Sequence, residues 1–413
     1  DILAKTMLNW STKKLGEIRE EIKKEKAPIG AMPYIEIGNV NVESKKVNFT
    51  EKGAVKGSIF CPEGSILISR VRPTRGAVVL VNKKYAVSSA FTIIQPKINP
   101  RLLFYFLAWN KNFFEYLGNL QKGTSYPSVR ESDILDFEVS FPEDKVEQQK
   151  IVYILDSIQD AIRTQEKIIE KTKELNKSMM ADLFKYGGPS FRKGRKLKKT
   201  EIGEIPEDWE TIYLSDKKLF ELQTGLWAGK KGSLMAVKVI RNTDFEDGKL
   251  IFDNVSEIEV EVEQFRKRDL RKDDILIEKS GGGPKQPVGR VAFINNNLPN
   301  YSFSNFLSRI RVITDKIFPA FIFRYLDYFY QKGGTFNLQE RTTGIRNLRF
   351  KDYINQPIPF PSLPEQREIA EILQTIDQKI EIEQKKKALY EELFKTMLNK
   401  LMTGEIRVDN LKL

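Results

Sequence analysis

The strongest constraint on this 413-residue chain is that it repeats itself, because a repeat forces one fold to occur twice. Trp10-Ser-Thr-Lys-Lys-Leu15 matches Trp209-Glu-Thr-Ile-Tyr-Leu214 at an offset of 199 residues. Ser65-Ile-Leu-Ile68 matches Asp274-Ile-Leu-Ile277 at 209, and Pro100–Leu107 matches Pro319–Leu326 at 219. Arg130 and Asp133 match Arg349 and Asp352 at that same offset, and Ile154–Ile158 matches Ile372–Ile376 at 218. The order is kept while the offset grows in steps, as two copies of one fold require when the second has longer surface loops.

Each copy reads as a globular unit followed by a long helix. The globular units span 10–142 and 206–361. Short β-type runs between turns fill their early parts, among them Gly64–Ser69, Ala77–Val81, Asp274–Ile277 and Arg290–Ile294. An aromatic helix then opens at Pro100 or Pro319, where proline suits the first turn. The expectation is an α+β domain on a curved, mixed sheet. The long helices follow Phe141-Pro142 and Phe360-Pro361. The first carries Ile151, Ile154, Leu155, Ile158, Ile162, Ile168, Ile169, Leu175, Met179 and Leu183 at 3–4 spacing. The second carries Ile369, Ile372, Leu373, Ile376, Ile380, Leu389, Leu393, Met397 and Leu401. With little globular sequence to bury against, these seams predict antiparallel pairing with each other, over roughly 50–60 Å at 1.5 Å per residue. The helices end at Tyr186-Gly-Gly-Pro189 and Thr403-Gly404. The plan is therefore helical segment 1–9, domain 10–142, helix 143–187, basic linker 188–205, domain 206–361, helix 362–404 and tail 405–413. Lys5-Thr-Met-Leu-Asn9 repeats Lys395–Asn399, which suggests a near-cyclic arrangement opening on a further copy of a helix tail.

Composition narrows the chemistry. Lys and Arg outnumber Asp and Glu by 68 to 56, for a net charge of +12, which favours a polyanionic partner. Histidine is absent, removing the commonest general base and metal ligand. Cys61 is the single cysteine; it forms no internal disulfide, fits a reducing cytoplasm and reads as an apolar filler. No apolar run approaches a membrane span, and no signal peptide is visible.

Phe360-Pro-Ser-Leu-Pro-Glu-Gln-Arg-Glu-Ile-Ala370, Phe141-Pro-Glu-Asp-Lys-Val-Glu-Gln-Gln-Lys-Ile151, Ile205-Pro-Glu-Asp-Trp209 and Leu175–Gly187 together carry a family likeness. In that order they resemble the specificity subunit of type I restriction–modification systems over nearly the whole chain. The resemblance implies two similar mixed α/β target-recognition domains joined by two long antiparallel helices, a coiled-coil spacer with pseudo-two-fold symmetry. It implies recognition of a bipartite, asymmetric double-stranded DNA site. It also implies two methyltransferase (modification) subunits docked on the spacer, restriction/translocase subunits joining for cleavage, and a prokaryotic cytoplasmic setting. S-adenosylmethionine, ATP and Mg would belong to those partners, leaving this chain with no cofactor and no catalysis. The first helix departs from the pattern by lacking the Leu-Pro, which puts the shape of that turn in doubt.

Base reading needs Arg, Lys, Asn, Gln, Ser or Thr on loops that enter a groove. In the first domain the candidates are Ser69, Arg70, Arg72, Thr74 and Arg75, between two strands, with Lys122, Thr124, Ser125 and Tyr126. In the second they are Lys279, Ser280, Lys285, Gln286 and Arg290 in a Gly-rich stretch, with Arg341, Thr342, Thr343 and Arg346. Lys230 and Lys231 form a weaker third group. These loops recur at equivalent repeat positions while their residues differ, as two different half-sites would require; each also reads as a plain solvated basic loop. The run Phe191–Lys199, with six cations in nine residues, is a solvated linker or a phosphate contact. An enzyme is the first rival, but no P-loop or G-x-G-x-x-G follows a strand, and Asp273, Asp274 and Glu278 suit turn caps better than a metal cluster. A stand-alone DNA-binding or scaffold protein is the second rival; a pure scaffold explains the seams but not the duplicated basic loops.

Overall fold

A computed structural model describes residues 10–123, 125–227, 232–246, 248–283, 286–342 and 345–408, with backbone only at 341 and 342. The Lys5–Asn9 repeat lies outside these residues. The chain forms two compact units, Asp1–Glu166 with Lys385–Leu413, and Lys167–Gln384. Each unit therefore holds one globular domain, the near half of its own long helix and the far half of the other.

In the first unit, strand Trp10–Lys14 pairs antiparallel with Glu138–Pro142 and closes the ends of the domain. Ile66–Ser69 is the centre of an antiparallel sheet flanked by Val78–Leu80 and Phe91–Ile94. A second sheet sets Tyr85–Val87 between Ile59–Cys61, antiparallel, and Tyr34–Ile35, parallel. The helix Pro100–Ala108 is capped by Asn99, whose side chain accepts from the N–H groups of Arg101 and Leu102. Its Leu102, Leu103, Tyr105 and Phe106 are buried against Ile66, Ile68 and Ile94.

The second unit repeats the scheme. Glu210–Ile212 pairs with Ile358–Phe360. Ile275–Glu278 lies between Val291–Phe293 and Leu307–Val312, and Phe220–Thr224 adds a further edge. Leu234–Ile240 pairs antiparallel with Ser256–Glu261 and parallel with Tyr301–Phe303. Among the described residues each domain is thus mixed through one parallel strand pair, with a further parallel bridge between Leu226 and Ser304 in the second, but its strands fall into several small sheets in place of one curved sheet. The helix Pro319–Gln331 buries Phe321, Ile322, Tyr325 and Leu326.

The long helices are Lys145–Tyr186, 42 residues, and Leu363–Met402, 40 residues. Within the first unit Ile151, Val152, Leu155 and Ile162 share a core with Phe394, Leu398, Leu401 and Val408. Glu166 pairs with Lys387 at 3.2 Å while Glu147 meets Arg407 at 3.0 Å, so the two segments run antiparallel. Within the second unit Met180, Leu183 and Phe184 pack with Ile369, Ala370 and Leu373. There Asn176 donates to Asp377 at 2.9 Å and Gly188 N–H to Glu365 at 3.0 Å, again antiparallel. The apolar seam is not continuous: Leu175, Leu389 and Leu393 are 50%, 65% and 43% exposed. Their spacing places them on an apolar stripe, but a large part of each stays open to solvent.

The start of each long helix carries the same polar joint. Trp209 Nε1 donates to Glu365 at 3.0 Å, and Trp10 Nε1 to Glu147 at 3.3 Å. Arg195, beyond the first helix, pairs with Glu365, its Nη2 at 2.9 Å; Arg407, beyond the second, pairs with Glu147. Gln148 bridges Pro142 O at 2.8 Å and Asn99 N–H at 2.9 Å, as Gln366 bridges Pro361 O at 2.9 Å and Phe318 N–H at 2.8 Å. The missing Leu-Pro leaves this turn intact. Asp144 caps the first helix through the N–H groups of Val146 and Glu147, and Gln148 N–H bonds Asp144 O at 3.0 Å as Gln366 N–H bonds Ser362 O at 2.9 Å. Gly187, at φ +83, is needed here because a Cβ would overlap both Arg195 and Glu365 at 2.2 Å.

Removing one partner of a buried ion pair strands the other charge. Glu147 is 4% exposed, so Arg407→Ala should destabilise the first unit by about 3 kcal/mol, with part of the loss recovered in the Arg407→Ala/Glu147→Gln double variant. Denaturant unfolding measures both, and an unchanged midpoint for Arg407→Ala contradicts the expectation.

Candidate nucleic-acid interface

The central strand of each domain runs into one of the sequence-predicted loops, and the tertiary fold brings the other to it. In the first domain Arg70 O accepts from Val129 N–H at 3.0 Å and Arg72 N–H donates to Pro127 O at 2.7 Å, while Lys122 and Ser128 exchange backbone bonds at 2.9 Å. Residues 70–76 are thereby one surface with Lys122, Gly123 and 125–128. Pro73–Arg75 form a 3-10 turn between two left-handed residues, Arg72 at φ 47 and Gly76 at φ 75. A left-handed arginine is costly and persists where its surroundings fix it. Part of that fixing is visible: the Arg72 guanidinium lies 4.9 Å from the ring centre of Tyr126. Tyr126 is itself 71% exposed, and Thr74, Arg75, Lys122 and Ser125 are exposed beside it.

Lys45, which sequence reasoning missed, holds this turn from below. Its Nζ donates to Gly76 O at 2.7 Å and lies 5.5 Å from the Phe114 ring centre. Burial pushes its pKa down to about 8. No sequence signal separates this lysine from its neighbours, because its role depends on a contact 31 residues away.

In the second domain Ser280–Gly282 pairs with Ile345–Leu348, which pairs with Gln339–Thr342. Ser280–Gly282 of the Gly-rich stretch, Gln339–Thr342 and Ile345–Leu348 are therefore one sheet. Lys279 is half-buried; its Nζ donates to Thr224 Oγ1 at 3.3 Å, and burial lowers its pKa. Ser280 donates to Asn347, Gln286 is exposed, and Arg346 is half-buried near Gln339. Arg70 is half-buried and donates to Ser89 O. Thr124, Lys230, Lys231, Lys285 and Thr343, with the side chains of Arg341 and Thr342, lie outside the described residues.

Two candidates are corrected. Ser69 is 2% exposed and its hydroxyl donates to Val71 O at 2.7 Å, so it caps its own strand and is not an exposed loop side chain. Arg290 makes a two-pronged pair with Glu278, at 2.9 and 2.8 Å, and also donates to Asn242 O and Phe245 O. With Glu278 1% exposed, this guanidinium is a structural counter-ion with four of its five N–H donors engaged. Asp274 is likewise engaged, taking Arg311 at 2.7 and 2.8 Å. In the basic linker, Arg192 binds Asp182 at 2.5 Å and Lys198 binds Glu207 O at 2.9 Å, so part of that run closes the second domain. Cys61 is fully buried, its thiol pushed up to about 11 by burial, which suits a packing residue. Among the described residues no cluster of three His, Cys, Asp or Glu side chains could hold a metal.

A repeated α+β domain, with converging loop pairs at matching positions and long helices shared between copies, defines a two-headed reader. A family model described as type I restriction modification DNA specificity domain matches residues 7–174 and 206–392. The chain belongs to that family. It is 29% identical over 98% of its length to the type I restriction enzyme MjaVIII specificity subunit of Methanocaldococcus jannaschii, covering 94% of that protein. It is 31% identical over 76% of its length to the putative MjaX specificity subunit of the same organism, covering 69% of it. Its fold is shared with a chain of a solved type I R-M system assembly, at TM-score 0.61 and 18% identity over 97% of this chain and 99% of that one. It is shared too with the S subunit of M. genitalium, at TM-score 0.52 and 17% identity over 95% and 96%.

The Lys45 geometry fixes a sign. Its folded pKa of about 8 lies below the ordinary 10.5, so between those values the unfolded chain binds more protons and stability rises with pH. Wild type should gain stability relative to Lys45→Met as pH goes from 7 to 10. Paired unfolding curves across that range check this, and a constant difference contradicts it.

Proposed function

We propose that this chain reads a bipartite, asymmetric double-stranded DNA sequence, one half-site per domain, and holds the other subunits of a type I restriction–modification system there. The observation that carries this reading is the convergence of two loops at matching positions in both copies, with different residues in each. One frame bearing two unlike loop sets suits two unlike half-sites. The +12 net charge supports a polyanionic partner.

The partners are two methyltransferase subunits and the restriction/translocase subunits, which supply S-adenosylmethionine, ATP and Mg chemistry in the prokaryotic cytoplasm. This chain contributes recognition and no catalytic group; the absence of histidine and the burial of Cys61 support that division. The docking surface for the methyltransferase is on the long helices, where Leu389 and Leu393 of the first unit and Leu175 and Ile382 of the second stand exposed. Leu389→Glu and Leu175→Glu should abolish methyltransferase capture in a pull-down while the circular dichroism spectrum stays unchanged; undiminished capture contradicts the assignment. No helix of the described residues is long and apolar enough to cross a membrane.

Genome-wide mapping of methylated sites tests the reading. Arg72→Ala with Arg75→Ala should change the first half-site alone, with about 1–3 kcal/mol lost per bidentate base contact. Tyr126→Ala should weaken that half-site about 2–5-fold by freeing Arg72, and Tyr126→Phe should not. Removing equal lengths from both long helices should shorten the gap and leave the bases unchanged. A change in both half-sites from the Arg72/Arg75 variant overturns the two-reader scheme.

A further inference from the structure

Beside the loop pair of the second domain stand three large apolar side chains whose exposure the polar reading does not use. Trp227, Phe306 and Ile345 are 61%, 41% and 47% exposed. Backbone bonds gather them on one strip. Leu226 N–H donates to Phe303 O at 2.8 Å and Gly225 N–H to Leu307 O at 3.3 Å. Gly225 comes so close that a Cβ would lie 2.0 Å from Ser304 O, which fixes the segment leading to Trp227 against the one bearing Phe306. Phe306 O in turn accepts from the N–H groups of Lys279 at 2.8 Å and Ser280 at 3.2 Å. Ser280 lies opposite Asn347, and Ile345, two residues along that strand, projects to the same face as Asn347. The strip therefore runs from Trp227 through Phe306 and Ser280–Gly282 to Ile345, linked by backbone bonds, with a bulge between Ser280 and Gly282.

Exposed apolar side chains gathered this way mark a binding surface. Their continuity with the DNA-facing loops, and with the cation of Lys279, makes DNA the occupant. The one apolar group that a base edge offers in the major groove is the thymine C5-methyl. We propose that Trp227, Phe306 and Ile345 read thymine methyl groups in the second half-site. This rests on the DNA-reading function above and deepens it: the first domain presents Arg72 and Arg75 for hydrogen-bond readout, whereas the second adds contacts that sense a methyl group.

Deoxyuridine tests this, since it differs from thymidine by that methyl alone. The full chain, alone and with the modification subunit of its own system, is used to select its site from a random DNA library. The second half-site is the one whose sequence survives Arg72→Ala with Arg75→Ala. Replacing its thymines by deoxyuridine should weaken binding about 4-fold per contacted methyl, the effect expected for burying one such group. In Trp227→Ala/Phe306→Ala/Ile345→Ala, an exposed-site variant that keeps its fold by circular dichroism, thymidine and deoxyuridine sites should bind alike. A second half-site without an A·T pair, or equal binding of the two DNAs by wild type, overturns the proposal. So does an equal loss on both DNAs in the variant, the result expected of a wedge between base steps or of a protein-docking patch. Failure to enrich any sequence would overturn the DNA-reading function itself, and is distinguishable from those results.

Discussion

A buried carboxylate at the start of each long helix is the constraint on which the rest of the structure depends. Glu147 and Glu365 are 4% and 1% exposed, and an ionised carboxylate that deep must be paired and hydrogen-bonded. Each sits at the start of its own helix and is met by two other parts of its unit: the indole at the start of the domain and an arginine from beyond the far end of the opposite helix. The charge can be satisfied only when domain, helix start and returning segment are all in place. The neighbouring glutamine repeats the logic with neutral groups, tying the helix start to the backbone ahead of the aromatic helix. Together these joints set where a helix leaves its domain.

That fixed origin matters because the loops lie at the other end of the same chain of contacts. The central strands Ile66–Ser69 and Ile275–Glu278 pack on the aromatic helices whose N-termini those glutamines hold. Each strand then delivers its loop at its C-terminal end. The loops gain rigidity from backbone bonds to the second segment, which do not depend on side-chain identity. Loop residues can therefore change freely between copies while the frame holds them in equivalent places, the separation of scaffold and specificity that loop-based recognition uses.

Much of this was legible in the sequence, for identifiable reasons. The repeat was visible because the frame is held by the same residue types in both copies, Trp10 and Trp209 among them. The helices were visible because burial imposes a 3–4 period. The period reports an apolar stripe and not what covers it, so Leu175, Leu389 and Leu393 read as seam although they are exposed. Arg290 reads as a free cation in a Gly-rich loop because its acceptor, Glu278, meets it only across the hairpin. Lys45 could not be found at all, since its partner is a carbonyl. Side chains whose function is set by local period or repeat position can be read from the chain; those set by a partner across a turn cannot.

The same distinction separates the two reading surfaces. In the first domain the cations of the turn keep their free ends: Arg75 is exposed, and Arg72 is stacked on a tyrosine in place of a carboxylate. In the second, the hairpin's arginine is spent on Glu278 and the lysine is half-buried at Thr224. A guanidinium already engaged by a carboxylate must lose that charge-assisted pair before it can meet a base, and the carboxylate left behind would be buried and unpaired. Both costs fall on the domain itself. Equivalent positions in a repeat thus need not have equivalent roles, and the difference follows from one residue: the strand ends in Glu278 in the second copy and in Ser69 in the first.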